Sequence, residues 1–241
     1  MLAEAEDVIR ERTRLACAAT GGCEVWEEDG LNAVLATDPA LGFLRTISGI
    51  SEETLPAAVR LARDPRWQGT PPVLVVRPGL SPEAEAGLRE QGFVQDGVRI
   101  VAILPLDGIT RADDPDVVDS PDTGAFLHLL LEGYASDDVV TAFIAAEHAD
   151  PRIRRSLLLE DGVPISAAAL SSHGQGVLLG GSATPREHRG KGAQARLLRH
   201  GLGVAAAEGH RFAVATAAEG SPSVSNLRRA GFEIHVRQAW R

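Results

Sequence analysis

The stretch that decides the fold is LLGGSATPREHRGKGAQARLL, residues 178–198, an apolar strand followed by a basic loop and then by a helix. In the loop, Gly190 and Gly192 alternate with the cations Arg189 and Lys191. Glycine lets a backbone approach a ligand closely, and the first turn of a helix presents unpaired N–H groups at the positive end of its dipole. The stretch therefore predicts an anion site, suited to phosphate, where the helix begins.

This loop lacks the terminal Lys-Ser/Thr of a Walker loop and the three glycines of a dinucleotide loop. It resembles the acyl-CoA pyrophosphate loop of the GNAT (GCN5-related N-acetyltransferase) superfamily, whose pattern is Arg/Gln-x-x-Gly-x-Gly/Ala. Arg189 takes the first position, Gly192 the fourth and Gln194 the sixth, where Gln is larger than the usual residue. The preceding apolar strand and a following helix, with Leu198 and Leu202 at helical spacing, provide the expected context.

The resemblance implies an acyl-CoA co-substrate, with acetyl-CoA as the expected one. It places the pyrophosphate on the amides of the loop and the pantetheine arm on the backbone at the end of the strand. Many members also have an Asn near the cofactor, at the place of Asn226; the alternative is an amide on a helix surface. The residues assigned in this way are Ala183, Thr184, Arg189, Gly190, Lys191, Gly192, Ala193, Gln194 and Asn226.

In this superfamily an amine attacks the thioester directly, so the protein supplies orientation, oxyanion donors and routes for protons. The acid that many members use, a tyrosine, is replaced by Leu227, and the strand before the loop carries no carboxylate base. Glu132 and Tyr134, the only tyrosine, form the expected catalytic pair. The alternatives for removing the proton are Asp137, Asp138, His173 and a water chain. Each of these side chains, Glu132 included, fits a solvated surface position better than the role of base, because charged side chains are mostly exposed.

Short motifs typical of turns and helix starts, found on either side of the loop stretch, recur in the first half of the chain. Glu-Asp-Gly occurs at residues 28–30 and again at 160–162. The segment LSPEAEAGLREQGF, residues 80–93, matches GSPSVSNLRRAGF, residues 220–232, and each predicts a helix that begins at its Ser-Pro pair. Because strand-turn-helix order is common in α/β proteins, the match is a topology hypothesis and does not imply a shared function.

From the turn glycine to the glycine of the Gly-Phe pair, the first copy counts 62 residues and the second 69. The seven additional residues are best placed in the basic loop. We therefore predict an α/β fold of two GNAT-like halves, each a mixed central sheet flanked by helices, with the acyl-CoA loop only in the second. The predicted divisions are a degenerate half at 1–106, an acidic, proline-containing linker at 107–123 and the acetyltransferase half at 124–241.

Local signals predict further elements in the first half. They indicate a helix over residues 2–20 before two glycines, a hairpin over 24–37 and a strand over 42–50. Ser51 is the expected N-cap of the next helix. Cys17 and Cys23 are too few for a disulfide framework or a four-ligand metal site. We expect two reduced thiols and no metal.

Composition limits the partners. The net charge of −9 disfavours non-specific nucleic-acid binding, which needs a basic surface. The N-terminus is too polar for a signal peptide and no apolar run reaches the length of a membrane span, so a cytoplasmic protein with no membrane partner is expected. The two-half arrangement favours a monomer over a homodimer.

Three functions remain open at this stage. The first is an acyl-CoA-dependent N-acyltransferase that acts on the amine of a small molecule or amino acid. The second is a non-catalytic module that binds acyl-CoA or another ligand, which the absent tyrosine and strand carboxylate would suit. The third is a transferase that uses a charged tRNA as its donor, against which the acidic balance counts.

Overall fold

The computed structural model describes residues 1–67, 69–111, 113–120, 122–134 and 138–241, and of residues 133 and 134 only the backbone. The helices are α1 (Leu2–Thr20), α2 (Leu55–Ala62), α3 (Pro82–Glu90), α4 (Thr123–Tyr134), α5 (Asp138–Ala149), α6 (Ala193–Ala207) and α7 (Pro222–Arg229). The strands are β1 (Cys23–Glu28), β2 (Leu31–Ala36), β3 (Thr46–Ile50), β4 (Val73–Val76), β5 (Gln95–Pro105), β6 (Val117–Asp119), β7 (Ile153–Glu160), β8 (Val163–His173), β9 (Gly176–Ala183), β10 (Phe212–Ala217) and β11 (Glu233–Trp240). In this described part, no helix is both long and apolar enough to cross a membrane.

These strands form one mixed sheet in the order β1-β2-β3-β4-β11-β5-β10-β9-β8-β7-β6. The last strand of the chain, β11, lies between β4 and β5 and pairs antiparallel with both. In turn, β5 pairs antiparallel with β10 on its other side. Thus β11, which follows the 107–123 segment, completes the part of the sheet that contains β1–β4. In the same way β5, which precedes that segment, completes the part that contains β6–β10.

The pairing pattern occurs twice. β3 and β4 are parallel, as are β9 and β10, and in both cases the preceding strand joins antiparallel. The preceding hairpins turn at Asp29-Gly30 and Asp161-Gly162, where all four residues have positive φ, as a two-residue type I′ hairpin turn requires.

Serine caps begin the two helices that follow the matched Ser-Pro segments. The hydroxyl of Ser81 accepts a hydrogen bond from the N–H of Ala84, and that of Ser221 accepts one from the N–H of Val224. Proline follows each cap at the first helical position, where no backbone donor is needed. These helix starts agree with the sequence prediction because a cap is a contact between residues three apart.

Two predicted boundaries in the first half are wrong. The strand predicted over 42–50 begins only at Thr46, because Asp38 caps a 3₁₀ turn over Pro39–Leu44 by accepting the N–H of Ala40 at 2.8 Å. Helix α2 starts at Leu55 with Thr54, not Ser51, as its N-cap. The N–H of Ser51 donates to the hydroxyl of Thr54 at 2.9 Å, so this segment forms a turn before the helix.

The segment 107–123, predicted as a linker, contains a strand. Within it, β6 pairs antiparallel with β7 at the edge of the sheet. Arg196 of α6 donates to Asp114 at 2.8 Å and to Asp116 at 2.7 Å, and the first contact lowers the pKa of Asp114. Described residues of this segment are therefore held against α6 by ion pairs as well as by strand pairing.

Helices cover both faces of the sheet. Successive residues of β5 point to opposite faces, and Val101 packs with Ala5 and Val8 of α1, whereas Ala102 packs with Leu202 of α6. α7 also packs on the α6 side. α5 packs against both α1 and α4, and α4 packs on β8 and β9, so these three helices share the face opposite α6.

The two cysteines form a disulfide between Cys17 in α1 and Cys23 in β1, with Cα atoms 5.2 Å apart. The expectation of two reduced thiols is therefore wrong in this structure. Gly21 takes a left-handed conformation, φ 65°, at the end of α1 and turns the chain back so that the two residues meet. This turn brings a pair six residues apart within the usual range for a disulfide.

Candidate functional site

The site lies where β9 and β10 separate. Their parallel pairing ends at Leu179 and Ala215, although β9 continues to Ala183. β9 also contains a bulge, because Ala169 and Ala167 of β8 pair with Gly180 and Ala183, which leaves one extra residue on β9. The bulge bends the strand away from β10, so a gap opens between the strands at residues 180–183.

The basic loop joins this gap to α6. After a short 3₁₀ turn over Arg186–His188, Gly190 and Gly192 both have positive φ, 79° and 80°, and Gly192 is the N-cap of α6. Gly192 has no side chain that could cap the helix. Among the described residues, the backbone N–H groups of residues 190–194 have no hydrogen-bond partner. A row of free donors at the positive end of a 15-residue helix is suited to an anion.

A cavity of about 690 Å³ opens beside these amides. Its wall consists of the end of β9, the basic loop, the first turn of α6 and one side of α7. The residues predicted for the cofactor that line it are Ala183, Thr184, Arg189, Gly190, Gly192, Ala193, Gln194 and Asn226. Lys191, the remaining one, lies at the neighbouring surface. The tertiary structure thus brings the end of β9, the loop and Asn226 to one cavity.

The loop cations differ in what they contact. Arg189 donates through Nε to the carbonyl of Thr184 at 2.9 Å, which holds its guanidinium at the cavity wall. Lys191 forms an ion pair with Glu160 at 3.2 Å, and this carboxylate also lies 3.8 Å from Nδ1 of His188. Arg189 is therefore the loop cation that faces the cavity, while Glu160 offsets part of the charge of its neighbours.

Gln194 has a partner across the cavity. The side-chain amide of Asn226 donates to Oε1 of Gln194, and Oδ1 of Asn226 accepts from Arg229 at 2.7 Å. This chain of contacts joins the first turn of α6 to α7 and adds the Arg229 guanidinium to the wall. The large side chain at the sixth position of the loop is thus accommodated by pointing at α7.

A smaller cavity of about 120 Å³ lies between the separated strands and α6. It shares Ser182, Gln194 and Ser223 with the large cavity. The rest of its wall is mostly small or apolar and includes Ala168, Ala169, Gly180, Gly181, Gly201, Ala215 and Leu227. A long ligand held by the loop could therefore pass from the large cavity into the gap between β9 and β10.

On the opposite face, His148 of α5 packs against the bulge. A Cβ atom at Gly181 would lie 2.0 Å from Nε2 of His148, so only glycine leaves room for the imidazole. His148 is buried, Nδ1 contacts the carbonyl of Ile144 at 2.9 Å, and Nε2 contacts Arg12 at 3.2 Å. Because Nδ1 must donate to that carbonyl, Nε2 accepts from Arg12.

Burial lowers the pKa of His148, although Glu147 opposes this effect. The neutral imidazole and the Arg12–Glu147 ion pair, 2.8 Å, thus form a buried polar group behind the bulge. Sequence reasoning did not identify His148. No local pattern marks it, because Arg12 and His148 are 136 residues apart in the chain.

The predicted catalytic residues are located differently. Glu132 is exposed on α4 and lies 3.9 Å from His128, and the side chain of Tyr134 is outside the described residues, as is Asp137. Asp138 is exposed at the start of α5. His173 pairs with Gly176 at the beginning of β9, about 15 Å along the strand from the bulge.

The corresponding place in the first half is built differently. Gly49 has φ 84° at an irregular step between β3 and β4, so the bulge is present. However, α2 has Pro56 at its start, which lacks an N–H donor. The Glu52 carboxylate accepts the N–H of Ser81 at 2.6 Å, and hydrogen bonding by the side chain of Ser81, together with this backbone bond, lowers the pKa of Glu52. A carboxylate of the chain therefore lies between the starts of α2 and α3.

No protein-family model and no curated protein matches this sequence. Solved structures with the same fold do match. A GCN5-related N-acetyltransferase from Kribbella flavida is 16% identical, with a TM-score of 0.59 and coverage of 97% of this chain and 94% of the other. Another from Sphaerobacter thermophilus is 16% identical, with a TM-score of 0.59 over 90% and 75% of the two chains.

A third match is a functionally unknown conserved protein from Staphylococcus epidermidis. It is 14% identical, with a TM-score of 0.60 over 92% of this chain and 94% of the other. At such identities the similarity concerns the fold. The chain has the fold of GNAT acetyltransferases, and the resemblance read from the loop is confirmed at that level.

Proposed function

We propose that this protein is an acyl-CoA-dependent N-acyltransferase that uses acetyl-CoA and acylates the amine of a small molecule or amino acid. One observation carries the proposal. The free amides of residues 190–194 face a cavity of about 690 Å³ whose walls lead to the gap between β9 and β10. A donor with a phosphate-rich end and a long, narrow arm ending in a thioester matches that arrangement.

The donor set fits the pyrophosphate of CoA. Backbone N–H groups and the Arg189 and Arg229 guanidiniums would bind its oxygens, with Lys191 nearby. The pantetheine arm would lie along residues 182–184. Arg189 donates to the carbonyl of Thr184 at 2.9 Å, so this carbonyl keeps a second lone pair for the arm.

The chemistry would take place at the bulge. The acyl-CoA supplies an activated thioester, and the chain would hold its carbonyl beside residues 180–182 while an amine attacks. Glu132 as base and Tyr134 as acid remain predictions. Ser223 lines both cavities one turn before Leu227, so its hydroxyl is a further candidate to protonate the departing thiolate.

The two-half organisation is also part of the proposal. The repeated pairing pattern and the paired turns support it, and the Glu52 carboxylate explains why the first half would hold no CoA. An anion brought between the starts of α2 and α3 would meet a negative charge and lack the donor that Pro56 removes. One donor site per chain is therefore expected.

The test is isothermal titration with acetyl-CoA and, separately, with CoA. Arg189→Glu places a carboxylate against the pyrophosphate and is expected to reduce acetyl-CoA affinity by about a hundredfold or more. Arg186→Glu is the matched control, since Arg186 is in the same loop but is absent from the cavity wall, and affinity should fall less than about fivefold. Equal affinities of wild type and Arg189→Glu would refute the loop assignment.

A non-catalytic acyl-CoA-binding module is the second candidate. Leu227, which is buried, takes the place of the tyrosine expected to act as the acid. In addition, β9 carries no carboxylate that could act as the base. Continuous release of CoA thiol from acetyl-CoA, dependent on an added amine, would exclude this candidate. Micromolar binding without release across an amine panel would favour it over the enzyme.

A further inference from the structure

A group of arginines lies on the α1 face at the centre of the sheet. Glu6 of α1 is buried and contacts Nε of Arg77 at 2.7 Å and Nη1 of Arg237 at 3.4 Å. Arg99 is directly opposite Arg237 in the pairing of β5 with β11. We call Arg77, Arg99 and Arg237 the arginine cluster.

The arginine cluster is short of negative charge. The charged groups that act most on Arg237 are Glu6, Arg99 and Arg77, so that, with Arg237 itself, three guanidiniums lie around one carboxylate. Arg237 is 7% exposed, and its Nε has no hydrogen-bond partner among the described residues. Burial is the largest cause of its lowered pKa, and both neighbouring arginines lower it further. Uncompensated buried charge is costly, so an anion bound here would stabilise the cluster.

The side chain of Arg99 is held by few hydrogen bonds. Its only hydrogen bond to a described residue runs from Nη1 to the carbonyl of Val98, at 3.2 Å. It is half-buried, as is Arg77, whereas Arg237 is buried. The cluster therefore combines a buried, incompletely paired cation with two accessible ones, in a chain whose net charge is −9.

The position of the cluster relates it to the gap between β9 and β10. Arg99 is two residues from Val101 and so lies on the same face, the one that packs on α1. Val101 pairs with Thr216, which is exposed in the part of β10 that has separated from β9. Arg99 thus lies about 7 Å along β5 from the level of the gap.

We propose that the arginine cluster binds an anionic group, a carboxylate or a phosphate, of the acyl acceptor. The inference rests on the proposed function, in which the donor fills the cavities on the α6 side and leaves the α1 side of the gap to the acceptor. The acceptor is then an amine that also carries an anionic group. The excess of positive charge at the arginine cluster outweighs the general preference of an acidic protein for cations, because the contact is local.

The first test is independent of activity. Thermal unfolding is measured in about 20 mM inorganic phosphate and in chloride of equal ionic strength, since a ligand that binds only the native state raises the midpoint. Phosphate is expected to raise the midpoint of wild type and of Arg189→Glu, in which the loop is disabled. Adding Arg99→Gln to Arg189→Glu should abolish the rise, because in the single variant Arg99→Gln the intact loop still binds phosphate. Adding Arg63→Gln instead should retain it, because this exposed arginine at the C-cap of α2 also donates to a single carbonyl.

A rise that disappears in Arg189→Glu and persists in Arg99→Gln would assign the phosphate to the loop and overturn the proposal. So would the absence of any rise in wild type. Either result leaves the proposed donor site to be judged by acetyl-CoA titration alone.

The second test identifies the anionic group. Initial rates with acetyl-CoA are compared for free amino acids against their α-amides, and for phosphoethanolamine against ethanolamine. The anionic member of one pair should have a kcat/KM about tenfold or more above the neutral one, with near parity in Arg99→Gln. If the protein turns over both members of each pair without this preference, the proposal for the arginine cluster is wrong, although the proposed acyltransferase activity is supported. Failure to bind acetyl-CoA removes the acyltransferase, and the phosphate measurement still decides the cluster.

Discussion

At the scale of single residues, Gly181 is the position on which the site depends most. Its φ is 59°, and the space that a side chain would fill is taken by the imidazole of His148. Gly180, its neighbour, has open space around a virtual Cβ. Two adjacent glycines in one strand therefore have different roles: Gly181 permits the bulge and a close contact, and Gly180 lines the gap.

Gly181→Ala is expected to lower the free energy of unfolding by about 2–4 kcal/mol, because the left-handed backbone becomes strained and the methyl group overlaps His148. Gly180→Ala is the matched control and should change it by less than about 1 kcal/mol. Denaturant unfolding of both variants measures the difference. Equal stabilities would mean that His148 moves aside at little cost and does not support the bulge.

At the scale of elements, the disulfide fixes how α1 enters the sheet. Cys17 is in the last turns of α1 and Cys23 begins β1, so the bond closes the Gly21-Gly22 turn covalently. α1 supplies Glu6 to the arginine cluster and Arg12 to His148. The orientation of this one helix thus affects both groups on the α1 face.

Reducing the disulfide, or replacing both cysteines by serine, is expected to destabilise the protein by about 2 kcal/mol, since a short loop regains chain entropy in the unfolded state. Denaturant midpoints with and without a phosphine reductant measure this change. The serine variant, which has no bond to reduce, should not respond to the reductant. If the reductant leaves the wild-type midpoint unchanged, the disulfide does not contribute to stability.

At the scale of the whole molecule, β11 pairs with β4 and β5 pairs with β10, so the two sides of the sheet depend on each other. Trp240 of β11 is fully buried with Leu74 of β4 and Leu88 of α3, so the end of the chain contributes to the core of its beginning. In the other direction, β5 forms the neighbour of β10. Each side therefore depends on a strand supplied by the other.

Cleavage at a protease site inserted near Gly108 tests this dependence. The two pieces are expected to stay together on a sizing column and to unfold in one transition, because separation would remove β11 from β4 and β5 from β10 and expose strand edges. Each piece expressed alone should lack a cooperative thermal transition. If the two pieces separate after cleavage and unfold independently, the two sides of the sheet do not depend on each other's strands.

Much of the fold could be read from the sequence because its signals are local. The Asp-Gly turns, the Ser-Pro helix starts and the Gly-x-Gly loop each depend on residues a few positions apart, and the structure shows them where they were predicted. The errors at residues 42–45 and Ser51 are also local in origin. There, Asp38 accepts the N–H of Ala40 and Thr54 accepts the N–H of Ser51, and these side-chain bonds form turns in place of the predicted elements.

The sequence by itself determined the Gly-x-Gly loop before α6, much of the order of helices and strands, and the resemblance that led to the fold. Only the tertiary structure decided which strand completes which side of the sheet, and that His148 packs on Gly181. It also decided that Glu6 meets Arg237, 231 residues away. The physical reason is that periodicity and capping act within one or two turns of chain, whereas pairing between distant segments depends on burial and charge that form only when the whole sheet closes.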